Sequence, residues 1–202
     1  DHNLLAKIST NKYVMSAVGN NAIVDFNGFL KSYSYLLLFN GQGDTIRLSP
    51  IPSYNDSLEY PPTLWIRGIC IDNNKNILVT GRYFNNFNAT SSDTGGLYIA
   101  KFDSNGVFQW KKHYYSLFGN IIDPAYGGFK ILPANEGNGF LISSYKATMD
   151  TLTKSIFHFI RIDSVGNILW EKTLPKANTL FRFGDNFERA DFINAKDGNG
   201  YY

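Results

Sequence analysis

The chain has little of what most chemical sites require. Among its 202 residues there are one cysteine and three histidines. The single Cys70 excludes an internal disulfide framework and a cysteine-based zinc site, and its apolar neighbours predict a small buried side chain. His2, His113 and His158 stand far apart and form no metal-binding spacing. The sequence also contains no P-loop and no Gly-x-Ser-x-Gly elbow.

Charge and long apolar stretches are equally scarce. Charged residues make up 18% of the chain, and the formal net charge is +2, with Lys and Arg spread singly between Asp and Glu. No continuous basic stripe is available to neutralise a phosphate backbone, so nucleic acid is not an expected partner. The apolar run Leu36–Phe39 is far shorter than the roughly twenty residues that span a bilayer, so no membrane span is expected.

Aromatic residues and glycine, in contrast, are plentiful. Aromatics make up 16% of the chain, and there are 18 glycines. This composition favours strands joined by tight turns. No segment shows a convincing helical period of apolar residues, and the sequence therefore predicts an all-β fold.

An internal repeat is the strongest signal in the sequence. Residues 97–112 and 157–172 align without a gap, and residues 35–47 form a weaker copy that keeps the apolar strand, the polar turn and the Gly but lacks the Trp. Five identities carry the alignment: Asp103, Ser104, Gly106, Trp110 and Lys112 recur as Asp163, Ser164, Gly166, Trp170 and Lys172.

Each copy of the repeat describes a β-hairpin. An apolar strand leads into a short Asp, Ser or Asn turn that Gly closes, and a second strand carries a bulky ring. Gly supplies the positive φ that such a turn needs, and the Asp or Asn side chain caps the turn backbone. A calcium site at Asp103 or Asp163 is a weaker alternative, because further carboxylates are lacking there.

A second hairpin precedes each of these, so a full repeat holds four consecutive antiparallel strands. Recurrence of one four-stranded unit predicts a β-propeller, whose blades bury their faces against one another. A β-sandwich is the alternative, although its strands would differ in length and connection. The predicted blades are about 1–52, 63–116, 126–175 and an incomplete 187–202. Propellers close with roughly four to eight blades, so about 3.5 blades predict a longer polypeptide.

Two stretches resemble a known family of repeats. Asn76–Gly81 with Ala100–Lys112, and Gly139–Ser144 with Arg161–Lys172, are similar to the propeller repeats of secreted proteins of the Bacteroidota. The resemblance implies an architecture and an exported or surface-anchored module. Such proteins often carry a C-terminal sorting domain for type IX secretion, and no such domain is among these 202 residues.

Four Asp-Ser or Asp-Thr tripeptides resemble the O-glycosylation acceptor of exported proteins of that phylum. Turn chemistry favours the same pairs of residues, so a purely structural origin is an equal alternative. The candidate acceptors are Thr45, Ser57, Thr151 and Ser164.

No catalytic, cofactor-binding or metal-binding residue is predicted. The Asp103 turn superficially resembles the Asp-box of sialidase propellers, but its Gly and Trp stand at the wrong intervals. The acids of predicted loops are ordinary solvated residues in the absence of a distinctive local setting. These acids are Asp123, Glu136, Asp150, Asp185, Glu188 and Asp191.

Aromatic residues in the long connecting segments are the predicted binding surface. Rings on the loops of a rigid scaffold make interaction sites, although they can equally pack beneath the loops as small satellite clusters. The candidates are Tyr54, Tyr60, Phe84, Phe87, Tyr126, Phe181 and Phe183.

The function expected from the sequence is that of a non-catalytic, exported or cell-surface propeller binding a protein or glycan at its loop faces, without a cofactor. One alternative is a polysaccharide-acting propeller enzyme with part of its site in blades outside this sequence. Another is a subunit or cargo of an outer-membrane or secretion assembly.

Overall fold

A computed structural model describes residues 4–19, 33–52, 63–84, 96–114, 130–134, 138–147 and 155–173. Every regular element within these ranges is a β-strand, and the strands form three four-stranded antiparallel sheets. The all-β prediction is therefore confirmed for this part of the chain. No helix long and apolar enough to cross a bilayer occurs in the same ranges.

Each sheet is a simple meander in which strands adjacent in sequence are adjacent in space. Sheet 1 contains β1 (Leu5–Ser9), β2 (Lys12–Gly19), β3 (Tyr33–Asn40) and β4 (Thr45–Pro50). Sheet 2 contains β5 (Thr63–Ile71), β6 (Ile77–Phe84), β7 (Gly96–Phe102) and β8 (Phe108–Tyr114). Sheet 3 contains β9 (Lys130–Pro133), β10 (Gly139–Ala147), β11 (Ser155–Asp163) and β12 (Ile168–Thr173).

Sheet 2 lies between the other two and is covered on both faces. Successive side chains of a strand point to opposite faces, and β6 shows the consequence, because Ile77 and Val79 pack towards sheet 1 whereas Leu78 packs towards sheet 3. Strand β7 is buried along its whole length for the same reason. A continuous apolar run such as Leu97–Ala100 therefore marks a strand packed on both sides.

Two hydrophobic cores fill the spaces between the sheets. The core between sheets 1 and 2 contains Ile8, Val14, Leu36, Leu38, Ile51, Leu64, Ile77, Val79, Tyr98, Ala100 and Phe102. The core between sheets 2 and 3 contains Cys70, Leu78, Leu97, Ile99, Ile131, Phe140, Ile142, Ile160 and Ile162. Each sheet thus buries apolar side chains against its neighbour in sequence, as stacked repeats must.

The sheets are aligned with one another. The first strand of each sheet approaches the first strand of the next, β1 beside β5 and β5 beside β9. Ser34 Oγ, at the start of β3, donates a 2.9 Å hydrogen bond to the carbonyl of Leu64, near the start of β5. Lys12 Nζ, at the start of β2, donates a 3.0 Å bond to Asn105 Oδ1, in the β7–β8 turn.

This alignment gives the stack two different ends. The connections from first to second strand and from third to fourth strand are short and emerge at one end, the turn end. The connections from second to third strand and from one sheet to the next emerge at the opposite end, the loop end, because antiparallel strands reverse direction at each step.

Some predicted boundaries differ from the structure. Phe84 was expected in a connecting segment, but it is the last residue of β6 and lies opposite Thr63. Pairing with β5 extends the strand beyond the point at which the sequence loses its apolar alternation. The incomplete fourth repeat, 187–202, lies outside the described residues.

Candidate functional site

The same hydrogen-bonded turn joins the third and fourth strands of every sheet. Asp103 Oδ1 accepts hydrogen bonds from the backbone N–H groups of Asn105 and Val107, both at 2.8 Å. Asp163 Oδ1 does the same in sheet 3, with Val165 at 2.9 Å and Asn167 at 2.8 Å. These carboxylates are engaged in shaping the turn, as predicted from the sequence.

Sheet 1 builds this turn with an amide in place of the carboxylate. Asn40 Oδ1 accepts from the N–H groups of Gln42 and Asp44, at 3.0 and 2.9 Å. A neutral side-chain oxygen is therefore sufficient, and the negative charge is not what the turn requires.

Glycine closes all three turns with a left-handed backbone. Gly43, Gly106 and Gly166 have φ values of 89°, 75° and 83°, which confirms the predicted positive φ. A β-bulge follows at the equivalent place in each hairpin, the arrangement of a turn followed by a G1 bulge. In the β5–β6 turn the left-handed position is occupied by Lys75, with φ 64°.

Two of these glycines also form contacts between sheets. A Cβ at Gly166 would lie 2.9 Å from Lys112 Cγ and 3.0 Å from Trp110 Cζ3, both on β8 of the preceding sheet. A Cβ at Gly106 would lie 3.0 Å from Leu38 Cδ1 and 3.1 Å from Ser49 Oγ in sheet 1. At Gly43, in the first sheet, a Cβ would meet nothing within 4 Å. Because glycine has no side chain, the turns at Gly106 and Gly166 can pack closely against the sheet before them.

Polar contacts also join each of these turns or strands to the neighbouring sheet. Lys112 Nζ donates a 3.2 Å hydrogen bond to Asn167 Oδ1, and Tyr114 OH donates to the carbonyl of Gly166 at 2.5 Å. Burial of Tyr114, with a smaller effect from the charge of Asp163, raises the pKa of its hydroxyl, so the hydroxyl remains a donor at neutral pH. At the loop end, Tyr98 OH donates a 2.6 Å bond to the carbonyl of Pro52, which follows β4 of the sheet before it.

An ion pair lies between sheets 2 and 3. Lys101 Nζ is 3.3 Å from Asp72 Oδ2, with the two side chains only 10% and 12% exposed, and it lies 5.8 Å from the ring centroid of Phe140 in sheet 3. Asp72 also accepts hydrogen bonds from the backbone N–H of Asn76 at 2.8 Å and from its Nδ2 at 2.9 Å. The β5–β6 turn is therefore tied to β7 and to the next sheet.

The lone cysteine is buried, as predicted. Cys70 is 6% exposed and belongs to the core between sheets 2 and 3. Burial, together with the charge of Asp72, raises the pKa of its thiol against a smaller opposing effect of Lys101. The thiolate is thus strongly disfavoured, and with it nucleophilic or metal-binding chemistry.

We expect Cys70 to be unreactive in the folded chain. Ellman's reagent should modify it at a rate limited by opening of the core, and should modify it rapidly once guanidinium unfolds the protein. Following absorbance with and without denaturant tests this. Rapid modification of the folded protein would contradict its burial.

The turn carboxylate of Asp163 should contribute to stability in a pH-dependent way. Partial burial acts to raise its pKa, but the hydrogen bonds from Asn167, Val165 and Gly166 outweigh this and lower the pKa. Its stabilisation is therefore present above the unfolded-state pKa of about 3.9 and is lost as pH falls through the lower pKa of the folded state.

Two substitutions separate the hydrogen bonds of Asp163 from its charge. Asp163→Ala removes the turn acceptor and should cost about 1 kcal/mol at neutral pH. Asp163→Asn should cost less, because Asn40 serves the same role in sheet 1, and its deficit should vanish in acid. Urea unfolding at several pH values measures both, and an Asn deficit that persists at the acid end would contradict this account.

Most of the predicted partner-binding aromatics lie outside the described residues. These are Tyr54, Tyr60, Phe87, Tyr126, Phe181 and Phe183. Phe84 is placed as the last residue of β6. The described strands that precede the segments containing the other six all end at the loop end.

Two candidate glycosylation residues are placed. Thr45 is exposed and begins β4, and Ser164 is half-buried within the β11–β12 turn. Both lie at the turn end of the stack. Ser57 and Thr151 lie outside the described residues.

Within the described ranges, no group of three or more His, Cys, Asp and Glu side chains lies close enough together to hold a metal ion. His113 packs its ring against Tyr98, with centroids 5.2 Å apart, and His158 lies in β11 opposite Thr173. No cofactor-binding arrangement was predicted from the sequence.

The residues that connect the sheets were missed at the level of sequence. Lys12, Tyr98 and Tyr114 each donate across a sheet boundary, and nothing in their local sequence indicates it. Lys112, which also bonds across a sheet boundary, gave the one available sequence signal of such a contact. It recurs as Lys172, although the hairpin itself does not require a lysine at that position.

No protein-family profile matches this chain, and no significant relative was found among curated proteins.

Proposed function

We propose that the three sheets are blades of a β-propeller and that the module is a non-catalytic, exported or cell-surface protein that binds a protein or glycan at its loop end. The observation that carries the proposal is the division of the stack into two ends. Tight, internally hydrogen-bonded turns occupy one end, and all long connections leave from the other.

The described turn acids are committed to shaping the backbone, whereas the six loop acids singled out in the sequence lie outside the described residues. Asp72, Asp103 and Asp163 each accept backbone hydrogen bonds within a turn. A general acid or nucleophile needs a carboxyl group that faces substrate and is not committed to shaping the backbone. These three acids therefore stabilise the conformation of their turns.

The propeller part of the proposal is supported by the way the sheets recur. Consecutive meanders lie face to face with their first strands adjacent, and each turn glycine after the first seats on the preceding sheet. When each sheet contacts the next in the same way, each sheet is rotated relative to its neighbour by the same angle. Continued repetition of that rotation generates a ring of blades.

Export is supported by the resemblance to Bacteroidota repeats and by the acceptor-like tripeptides. Thr45 is exposed at the turn end, where a sugar would not obstruct the loop end. Fractionation of the native host, with the protein followed by antibody, tests the location, and a purely cytoplasmic signal would overturn this part of the proposal.

Binding is tested with the purified, labelled chain on a glycan array and on intact cells of the native host. A variant with Tyr54 and Tyr60 changed to Ala should lose binding, whereas Val107→Ser, an exposed turn-end control, should retain it. Loss of binding in the control with retention in the loop variant would overturn the proposal. Release of shortened glycan during the assay would instead establish an enzyme.

A further inference from the structure

The face of sheet 3 that is turned away from sheet 2 is buried over part of its area. Ile142 and Ile160 point into the core between the two sheets, so the side chains that alternate with them lie on the opposite face. Three of these, Leu141, Ser143 and Arg161, are 2%, 3% and 7% exposed. Side chains of one sheet cover only the flanks of their neighbours, so burial this complete requires a further layer stacked on the face.

The described strands do not supply that layer. Those that approach sheet 3 belong to sheet 2 and share the core on its other face. The layer also covers only the middle of the face, because Trp170, on the edge strand β12, is 39% exposed although it pairs with Arg161. The covered part is formed by β10 and β11, which is the area that a two-stranded hairpin would occupy.

This face matches, position by position, the face of sheet 2 that packs on sheet 3. The matching residues, which have the same strand pairing, are Leu78 and Leu141, Thr80 and Ser143, Lys101 and Arg161, and Trp110 and Trp170. In the contact between sheets 2 and 3, the first hairpin of sheet 3 contributes Ile131, Phe140 and Ile142. A second face of the same kind predicts the same kind of occupant, the first hairpin of another repeat.

The segment 190–202 has the sequence of such a hairpin. The turn sequence KDGNGY at 196–201 aligns without a gap with NEGNGF at 135–140. Tyr201 then stands in the place of Phe140, and Phe192 stands in the place of Ile131. The segment therefore carries bulky apolar side chains at two positions through which the first hairpin of sheet 3 packs on sheet 2.

A cation and a ring meet at the boundary between sheets 2 and 3. Lys101 Nζ lies 5.8 Å from the ring centroid of Phe140. In the same two positions at the boundary between sheets 1 and 2, both residues are apolar, Leu38 and Ile77. The cation and the ring are thus present together at one boundary and absent together at the other.

Sheet 3 and the segment 190–202 restore this pair. Arg161 occupies the position of Lys101, and Tyr201 occupies the position of Phe140. A guanidinium group stacks on an aromatic ring at least as well as an ammonium group does.

We propose that residues 190–202 form a two-stranded hairpin that packs on β10 and β11, with the ring of Tyr201 stacked on the guanidinium of Arg161. The inference rests on the part of the proposed function in which the sheets stack as blades. It is independent of partner binding at the loop end.

Nuclear Overhauser spectra of the full chain test the proposal. The δ-protons of Arg161 should show cross-peaks to the Tyr201 ring and should be shifted upfield by its ring current. Tyr201→Leu should abolish that shift and speed amide hydrogen exchange in β10 and β11 by about tenfold, because a largely desolvated cation–ring contact is lost. Arg161→Lys keeps a cation, as at Lys101, and its side chain should retain cross-peaks to Tyr201.

Tyr202→Leu is the matched control. Successive residues of a strand point to opposite faces, so this substitution should leave the Arg161 shift and the exchange rates unchanged. Cross-peaks from Arg161 to other residues in place of Tyr201, or equal effects of the Tyr201 and Tyr202 substitutions, would overturn the proposal. The contact between Gly166 and Trp110 is observed in the same spectra, so failure of the hairpin is distinguishable from failure of the stacked arrangement.

Discussion

Gly166→Ala should destabilise the protein by about 3 kcal/mol. The left-handed backbone at this position costs an alanine about 1–2 kcal/mol, and the added methyl group must also displace Lys112 and the rigid ring of Trp110, which overpacks a close contact at about 1–3 kcal/mol. Urea unfolding followed by tryptophan fluorescence measures the change.

Gly43→Ala is the matched control for that substitution. It has nearly the same backbone angle, with φ 89° against 83°, but its Cβ would meet nothing within 4 Å. It should therefore cost only the backbone strain, about 1 kcal/mol. Equal losses in the two variants would mean that the Gly166 turn does not pack against sheet 2.

Asp72→Ala should be similarly damaging, with a loss of about 3 kcal/mol. The substitution removes the acceptor for Asn76 and leaves the charge of Lys101 buried without its carboxylate partner, and breaking a buried pair at one side is costly. Thermal and chemical unfolding of the variant give the magnitude.

Two further variants apportion that loss. Asp72→Asn keeps the turn acceptor and removes only the charge, so it should fall between the unaltered chain and Asp72→Ala. Lys101→Met removes the buried charge itself and should cost less than Asp72→Ala, because Asp72 remains hydrogen-bonded to Asn76. An Asp72→Ala loss below about 0.5 kcal/mol would show that the ion pair contributes nothing measurable.

The hairpins could be predicted from the sequence because their determinants are local. Asp163, Gly166 and Trp170 repeat the pattern of Asp103, Gly106 and Trp110 within a few residues, and a turn glycine with an Asp or Asn acceptor is specified by short-range chemistry. The twelve strands within the described ranges follow from such patterns and from apolar alternation.

The contacts between sheets could not be predicted in the same way. Tyr98 bonds to Pro52 and Lys12 to Asn105, and such pairings depend on how two sheets are placed, which a single sequence does not encode locally. Trp110 and Trp170 illustrate the point, since they are equivalent in the repeat and in strand register, yet the Gly166 turn of the next sheet packs on Trp110 and Trp170 is 39% exposed.

The candidate site was less predictable than the fold. The partner-binding prediction rested on aromatic residues of connecting segments, and the strand order adds that these segments leave a common end. Nothing in a single sequence identifies the ligand, because the chemistry of a binding surface is set by how several loops come together.

The account depends most on successive sheets packing face to face through their glycine turns, and a nuclear Overhauser spectrum tests this directly. The α-protons of Gly166 should show strong cross-peaks to the Trp110 ring and be shifted by its ring current, whereas those of Gly43 should show no cross-peak to any ring. Absence of the Gly166–Trp110 cross-peaks in the folded protein would contradict the stacked arrangement.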